Sequence, residues 1–275
     1  MNEPPFSVRE PEGEETPVVV EVPHAGLHVP APQLHAIVAP ARSLARDADL
    51  YVDDLYVDAP LEGATILVAH ASRYVVDLNR GEKDYDSDSV TGGPSETRAP
   101  RGVVWRLTTD GEKVMSAPIS RAELEARLEA IYRPYHAILT QILARKVEKF
   151  GLAVLLAAHS MPSVGRTVHG DPGSARADVV PGTRGRASAE ARFIDAVDAH
   201  ARAKGWSVQH DNPYRGGFAT QHYGRPSQRI HAVQVELARR LYMDETNLWK
   251  LEGGFEATRA WCRTLVTRLG QVALR

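Results

Sequence analysis

Short apolar runs alternate with longer amphipathic stretches along this chain. Four runs are rich in β-branched residues and bounded by turn formers: Pro17-Val-Val-Val-Glu-Val22, residues 62–70, Leu152-Ala-Val-Leu-Leu-Ala-Ala158 and Ile230-His-Ala-Val-Gln-Val-Glu236. Runs of this length, apolar on both faces, predict buried strands of a mostly parallel sheet. A shorter strand is expected at 206–210, and an extended piece or edge strand at Ser72-Arg-Tyr-Val-Val-Asp-Leu-Asn-Arg80. Helical spacing predicts helices near 31–40, 43–58, 121–149, 187–204 and 254–272. The third starts at Ser120, with Glu123 in capping-box position, and bends near Pro134. The fourth stops at Gly205. Strands alternating with helices define an α/β layer structure.

Two polar stretches interrupt the pattern. Residues 81–118, with a short strand at 102–106, and residues 162–186 are rich in Gly, Pro and Arg or Asp. Loops this long inside a compact fold are usually functional. Residues 1–16 are polar, acidic and Pro-containing and read as a flexible lead-in, leaving 17–275 as a single domain.

Composition narrows the function. The net charge of −2, with acids and bases mixed, gives no basic field for nucleic acid or an anionic membrane. No apolar run reaches membrane-span length, and the first residues lack a secretion signal. One cysteine, Cys262, excludes an intramolecular disulfide and a Cys-rich zinc site, so a reducing cytoplasm is expected. The partner expected is a small anionic substrate, bound by a monomer or small homo-oligomer.

Open α/β sheets bind ligands at the carboxyl ends of their strands. His24 follows the first strand, His159 follows the strand at 152–158, and Glu236 closes the last strand. Two imidazoles and a carboxylate at strand ends suit a metal hydrolase with one coordination position for water. Each histidine taken alone is as easily a satisfied turn residue. Asp47, Asp49, Asp53 and Asp54 all compete for the carboxylate position. On one continuous helix Asp49 and Asp53 would share a face, and the bland alternative is a solvated acidic face. Glu236 sits among apolar residues, where burial raises a carboxyl pKa and suits a general base. An ion pair with Arg239 or Arg240 is its structural alternative. Arg73 faces a developing oxyanion in the same reading, while Asn79 and Arg80 hold an anionic group. An Asp77–Arg80 salt bridge would be the structural counterpart. His222, Arg225 and Gly217 add polar groups and close backbone approach to a ligand. Zincin, P-loop, dinucleotide-fingerprint and nucleophile-elbow motifs are absent.

Taken in order, Val22-Pro-His-Ala-Gly26, Asp47-Ala-Asp-Leu-Tyr-Val-Asp53, Ser72 to Arg80, Tyr132-Arg-Pro-Tyr-His136, Ala158-His-Ser160, Gly216-Gly217, Gln221-His-Tyr-Gly-Arg225, Val233 to Ala238 and Leu241 to Glu245 resemble the N-formylglutamate amidohydrolase (deformylase) family. The resemblance spans roughly 17–245. It implies a zinc-peptidase-like, phosphorylase/hydrolase-like fold: a three-layer α/β domain with a mixed, mostly parallel sheet flanked by helices. It also implies one zinc ion on His24, His159 and Asp49, with Asp53 as the alternative third ligand. Glu236 becomes general base and proton shuttle, Arg73 polarises the carbonyl, and Asn79 with Arg80 grips a substrate carboxylate. The His-x-x-Glu pair of carboxypeptidases is missing, since Ala25, Gly26 and Leu27 follow His24.

The expected reaction is zinc-dependent hydrolysis of an N-acyl amino acid, N-formyl-L-glutamate first, giving formate and glutamate as in histidine degradation. The same donors suit iron, cobalt or nickel. The alternatives are a hydrolase of another N-acyl or γ-glutamyl amide, a non-catalytic binder of an acidic metabolite, and a purely structural role for these polar residues.

Overall fold

The computed structural model describes residues 4–96 and 98–275. In chain order the strands are β1 (Phe6–Arg9), β2 (Val18–Val22), β3 (Thr65–Ala69), β4 (Ala153–Met161), β5 (Val179–Gly182) and β6 (Ile230–Ala238). The helices are α1 (Ala31–Leu34), α2 (Ala41–Asp47), α3 (Val52–Leu55), α4 (Arg121–Arg127), α5 (Arg133–Phe150), α6 (Ala191–Ala203), α7 (Phe218–Tyr223) and α8 (Gly254–Ala273).

The strands form one sheet in the order β1-β3-β2-β4-β6-β5. β3, β2, β4 and β6 run parallel, and β1 and β5 close the edges antiparallel. The sheet is therefore mixed and mostly parallel, in an α/β fold. β2 and β4 are buried along their whole length, which is why their sequences are unbroken apolar runs. One face packs Val20, Val22, Leu156 and Val235 under α3, α6 and α8. The other packs Val19, Leu155 and Ala232 under α5 and the 72–119 segment. Each fully buried Val or Leu contributes about 1.5–3 kcal/mol, so these layers hold the sheet rigid behind the site.

Several elements differ from the sequence expectation. Residues 6–9 are a strand, where a flexible lead-in was expected: Phe6 to Arg9 pair with Ala69 to Ile66 on the open edge of β3. Further along, the buried Lys146 ammonium binds Glu15 at 2.8 Å and the Thr16 carbonyl at 2.7 Å. Residues 1–3 of the expected lead-in lie outside the described residues, as does residue 97 of the 81–118 loop.

The helix expected over 43–58 is two helices. They are separated at 48–51, where Tyr51 takes a left-handed φ of 67°. Residues 72–80 are a buried turn: Val75 N–H binds the Ser72 carbonyl, and Tyr74, Val75, Val76 and Leu78 are all buried, so the alternation of a strand is lost. The 31–40 helix shrinks to one turn at α1, and the helix expected from 187 starts at Ala191. The 102–106 strand reduces to an isolated Arg101–Trp105 bridge, and 206–210 to a single Val179–Val208 bridge. β5 lies inside the stretch expected to be loop. Where a bend was expected near Pro134, a π-helical turn at Leu128–Tyr132 joins α4 to α5.

Candidate active site and metal centre

β2 delivers its chain end to Pro23 and His24, and β4 continues through His159. The break between α2 and α3 frees Asp49, whose N–H binds the His24 carbonyl at 2.9 Å. Three elements far apart in sequence thereby converge. His159 Nδ1 lies 3.0 Å from Asp49 Oδ2, His24 Nδ1 lies 3.6 Å from the same oxygen, and the two Nδ1 atoms are 3.2 Å apart. All three side chains are buried. Burial alone would raise the Asp49 pKa. Hydrogen bonds to His159 and His24 overcome it and hold the carboxyl well below its usual range.

This donor set fits a divalent transition metal. One ligand atom from each of the three residues lies within 4.8 Å of the others. The second nitrogen of His24 is spoken for: Nε2–H donates to Asp77 Oδ1 at 2.8 Å. Such a carboxylate fixes the tautomer that leaves the Nδ1 lone pair directed at a cation.

Asp77 knits the site together. Its Oδ1 also accepts from Asn79 N–H at 2.8 Å, and its Oδ2 accepts from Arg73 Nη2 and Trp105 Nε1, both at 2.9 Å. Burial raises its pKa, but Arg73, His24 and Arg80 together hold it well below the usual carboxylate range. Arg73 lies 4.4 Å over the Trp105 ring. Its Nε and Nη2 serve Asp77 and its Nη1 reaches the Asp47 carbonyl, so two of a guanidinium's five N–H groups stay available.

Glu236 pairs in register with His159 across β6 and β4. Burial pushes its carboxyl up to about 7; His159, Arg73 and Arg239 pull against that, and Asp49 adds to it. Gln234 donates to Oε1 at 2.8 Å, leaving Oε2 for a proton. The structural alternative of a direct ion pair with Arg239 or Arg240 is not what the side chains form. Arg239 binds the carbonyls of Arg46 and Ala48 at 2.6 Å and Asp49 Oδ1 at 3.3 Å, and Arg240 binds Asp178 at 2.8 Å.

These groups line a cavity of about 330 Å³. His24, Asp49, Arg73, Asn79, Arg80, His159, Gly217 and Glu236, all singled out in the sequence, share its wall. Asn79 is committed to the protein: Oδ1 accepts from Ala219 N–H at 2.9 Å, and Nδ2 faces His159 Nε2 at 3.3 Å. Gly217 is needed for close approach, since a Cβ there would meet the Asn79 amide at 2.3 Å. Its N–H binds Gln234 Oε1 at 2.9 Å.

Three expected residues fall elsewhere. Asp53 sits on α3, beyond the helix break that separates it from Asp49, and does not line the cavity. His222 lies at the far end of α7 in another cleft, stacked on Phe218 with centroids 4.8 Å apart. Arg225 is exposed and its N–H binds the Ile230 carbonyl, at the start of β6 and so the opposite end of the strand from Glu236. Sequence reasoning in turn missed Gln234, Arg166 and the tethering by Arg239. Arg166 Nη1 binds Asp47 Oδ1 at 3.1 Å and Thr109 Oγ1 at 2.7 Å, clamping the 162–178 loop onto the cavity rim. The period-two position of Gln234 before Glu236 was a usable signal; the long-range partners of Arg166 and Arg239 left none.

The family described as N-formylglutamate amidohydrolase matches residues 16–243. An N-formylglutamate deformylase of Pseudomonas putida is 36% identical over 233 residues, covering 84% of this chain and 83% of that protein. One from Pseudomonas aeruginosa is 35% identical over 258 residues, covering 92% of each. The crystal structure of an N-formylglutamate amidohydrolase from Ralstonia eutropha superposes with a TM-score of 0.87 at 31% identity, covering 97% of both chains.

Proposed function

The chain belongs to the N-formylglutamate amidohydrolase family, and on that premise we propose that it is a metal-dependent hydrolase of N-formyl-L-glutamate, releasing formate and L-glutamate. The observation that carries this reading is the meeting of His24 Nδ1, His159 Nδ1 and Asp49 Oδ2 beside a buried Glu236. Zinc is the metal expected for two imidazoles and a carboxylate, and when bound there it supplies Lewis acidity towards the carbonyl and acidifies water.

The chain's own residues supply the rest. Glu236 Oε2 takes the proton of the attacking water as its oxygen bonds to the formyl carbon. A carboxyl poised near 7 is matched to that task at neutral pH. Arg73, fixed by Asp77 and Trp105, turns its remaining N–H groups to the oxygen that gains negative charge. Glu236 then gives the proton to the departing nitrogen as the C–N bond breaks. Arg80 holds a substrate carboxylate: its Nε and Nη1 are tied to the carbonyls of Arg101 and Asn79, while Nη2 has no partner among the described residues. Asn79 and Gln234 position rather than bind, since their amides are engaged with His159, Gly217 and Glu236.

A reducing cytoplasm suits this assignment. Cys262 is a buried free thiol, and among the described residues no helix is long and apolar enough to cross a membrane. The test is formate release from a panel of N-acyl amino acids, with and without a chelator. N-formylglutamate should be turned over fastest and the chelator should stop it. Undiminished turnover in metal-free protein would refute the metal role, and no turnover of any N-formyl amino acid would refute the reaction.

A further inference from the structure

The charges around the cavity do not balance, and the imbalance identifies a specificity residue. Six arginines line the wall: Arg46, Arg73, Arg80, Arg166, Arg215 and Arg239. Four have carboxylate partners. Arg46 binds Asp110 at 2.8 Å, Arg73 binds Asp77 at 2.9 Å, Arg166 binds Asp47 at 3.1 Å and Arg239 binds Asp49 at 3.3 Å. Among the described residues, Arg80 and Arg215 have none.

Behind Arg80 the excess continues. Arg101, whose carbonyl accepts from Arg80 Nε at 2.9 Å, also lacks a carboxylate among the described residues; burial and the neighbouring Arg80 both lower its pKa. Like charges gathered in a partly desolvated wall are costly unless an anion joins them.

An exposed arginine without an acid is ordinary on a protein surface, so the setting of Arg215 decides the matter. Its backbone is clamped into the wall. The Arg215 carbonyl accepts from Arg184 N–H at 2.8 Å, and Arg184 Nη1 binds the Gly216 carbonyl at 3.1 Å. Gly216 packs so closely on β5 that a Cβ on Gly182 would meet its nitrogen at 2.6 Å. Next in the chain, Gly217 is tied to Gln234. The main chain is thus held at the cavity wall, while among the described residues the Arg215 guanidinium has no hydrogen-bond or carboxylate partner; a donor on a fixed backbone lowers the ordering cost of binding.

We propose that Arg215 binds the side-chain carboxylate of the substrate, with Arg80 on its α-carboxylate, so that the cavity selects a dianionic N-acyl amino acid over a monoanionic one. This rests on the hydrolase reading above and names the group that sets its substrate class. Arg225, which the sequence offered among the polar groups for the ligand, lies outside the cavity; Arg215, ten residues earlier, lines it instead.

The test compares N-formylglutamate with N-formylglutamine, which lacks the second charge at nearly the same volume. In Arg215→Ala, KM for N-formylglutamate should rise roughly 10–100-fold, the loss expected for one charge-assisted pair, with kcat much less affected. The rise for N-formylglutamine should be at least about tenfold smaller, and Arg215→Lys should recover part of the discrimination. Equal losses on both substrates, or none on either, would overturn the assignment of Arg215 while leaving the hydrolase reading intact. A wild-type protein that releases formate from neither substrate would overturn both.

Discussion

Glu21 and Glu236 are two buried glutamates on one sheet. Glu21 on β2 pairs in register with Ala157, which pairs with Gln234 on β6. Glu236 lies two residues further along β6, so the two carboxyls point to the same face one pleat apart. Burial raises both, Glu21 to about 8 and Glu236 to about 7. Their surroundings separate them. Glu21 accepts one hydrogen bond, from the Tyr135 hydroxyl at 3.1 Å, and its other oxygen has no partner among the described residues. Glu236 has His159, Arg73 and Arg239 near it and opens into the cavity. A raised pKa therefore marks burial; access to a ligand and convergence with other groups mark chemistry.

The largest expected effect breaks the pair apart. Glu236→Gln should lower kcat by about 10²–10⁴-fold, the usual contribution of a general acid–base group, with bound metal retained. Glu21→Gln should leave kcat within about twofold, because it removes no group from the cavity. Steady-state formate release with metal analysis on the same samples checks both. Comparable losses in the two variants would erase the distinction.

Stability against pH sharpens the comparison from the other side. The Glu21 carboxyl has a folded pKa of about 8 against an ordinary value of 4.5, so folding favours its neutral form. That contribution is complete below about 4.5 and is lost as pH rises to about 8, at roughly 1.4 kcal/mol per unit. Glu21→Gln carries no such charge, so its Tm should gain on the wild type as pH rises through that window. A difference in Tm that stays flat with pH would contradict a neutral buried Glu21.

A smaller effect concerns the support of the proposed metal ligands. Asp77→Asn removes the anion that orients His24 and should weaken metal affinity about 10–100-fold, as loss of such a partner typically does. Competition with a chelator measures it. The smallest effect is expected at Arg225, exposed at the start of β6: Arg225→Ala should change KM for N-formylglutamate by less than about twofold.

What the sequence made legible follows physical range. Strands buried on both faces announce themselves as apolar runs, so β2, β4 and β6 were readable, and with them the two histidines and Glu236 at or near their ends. Asp49 was one of four neighbouring acids because no Gly or Pro marks the break at 48–51, where Tyr51 adopts a left-handed conformation. Asp77 looked like a local partner for Arg80, whereas it joins Arg73, His24 and Trp105. The 72–80 turn kept an apolar pattern that suits a strand, since Tyr74, Val75, Val76 and Leu78 are all buried against the 102–119 segment and α4–α5. The tethers of Arg166 and Arg239 depended on contacts between distant segments, which left no local signal.

The central claim is that one ion sits between His24, His159 and Asp49. Anomalous diffraction from zinc-loaded crystals at the zinc edge tests it directly. A single peak should appear about 2.0–2.2 Å from Nδ1 of both histidines and from a carboxylate oxygen of Asp49. A peak bound elsewhere, or no peak among these three residues in zinc-loaded active protein, would contradict it.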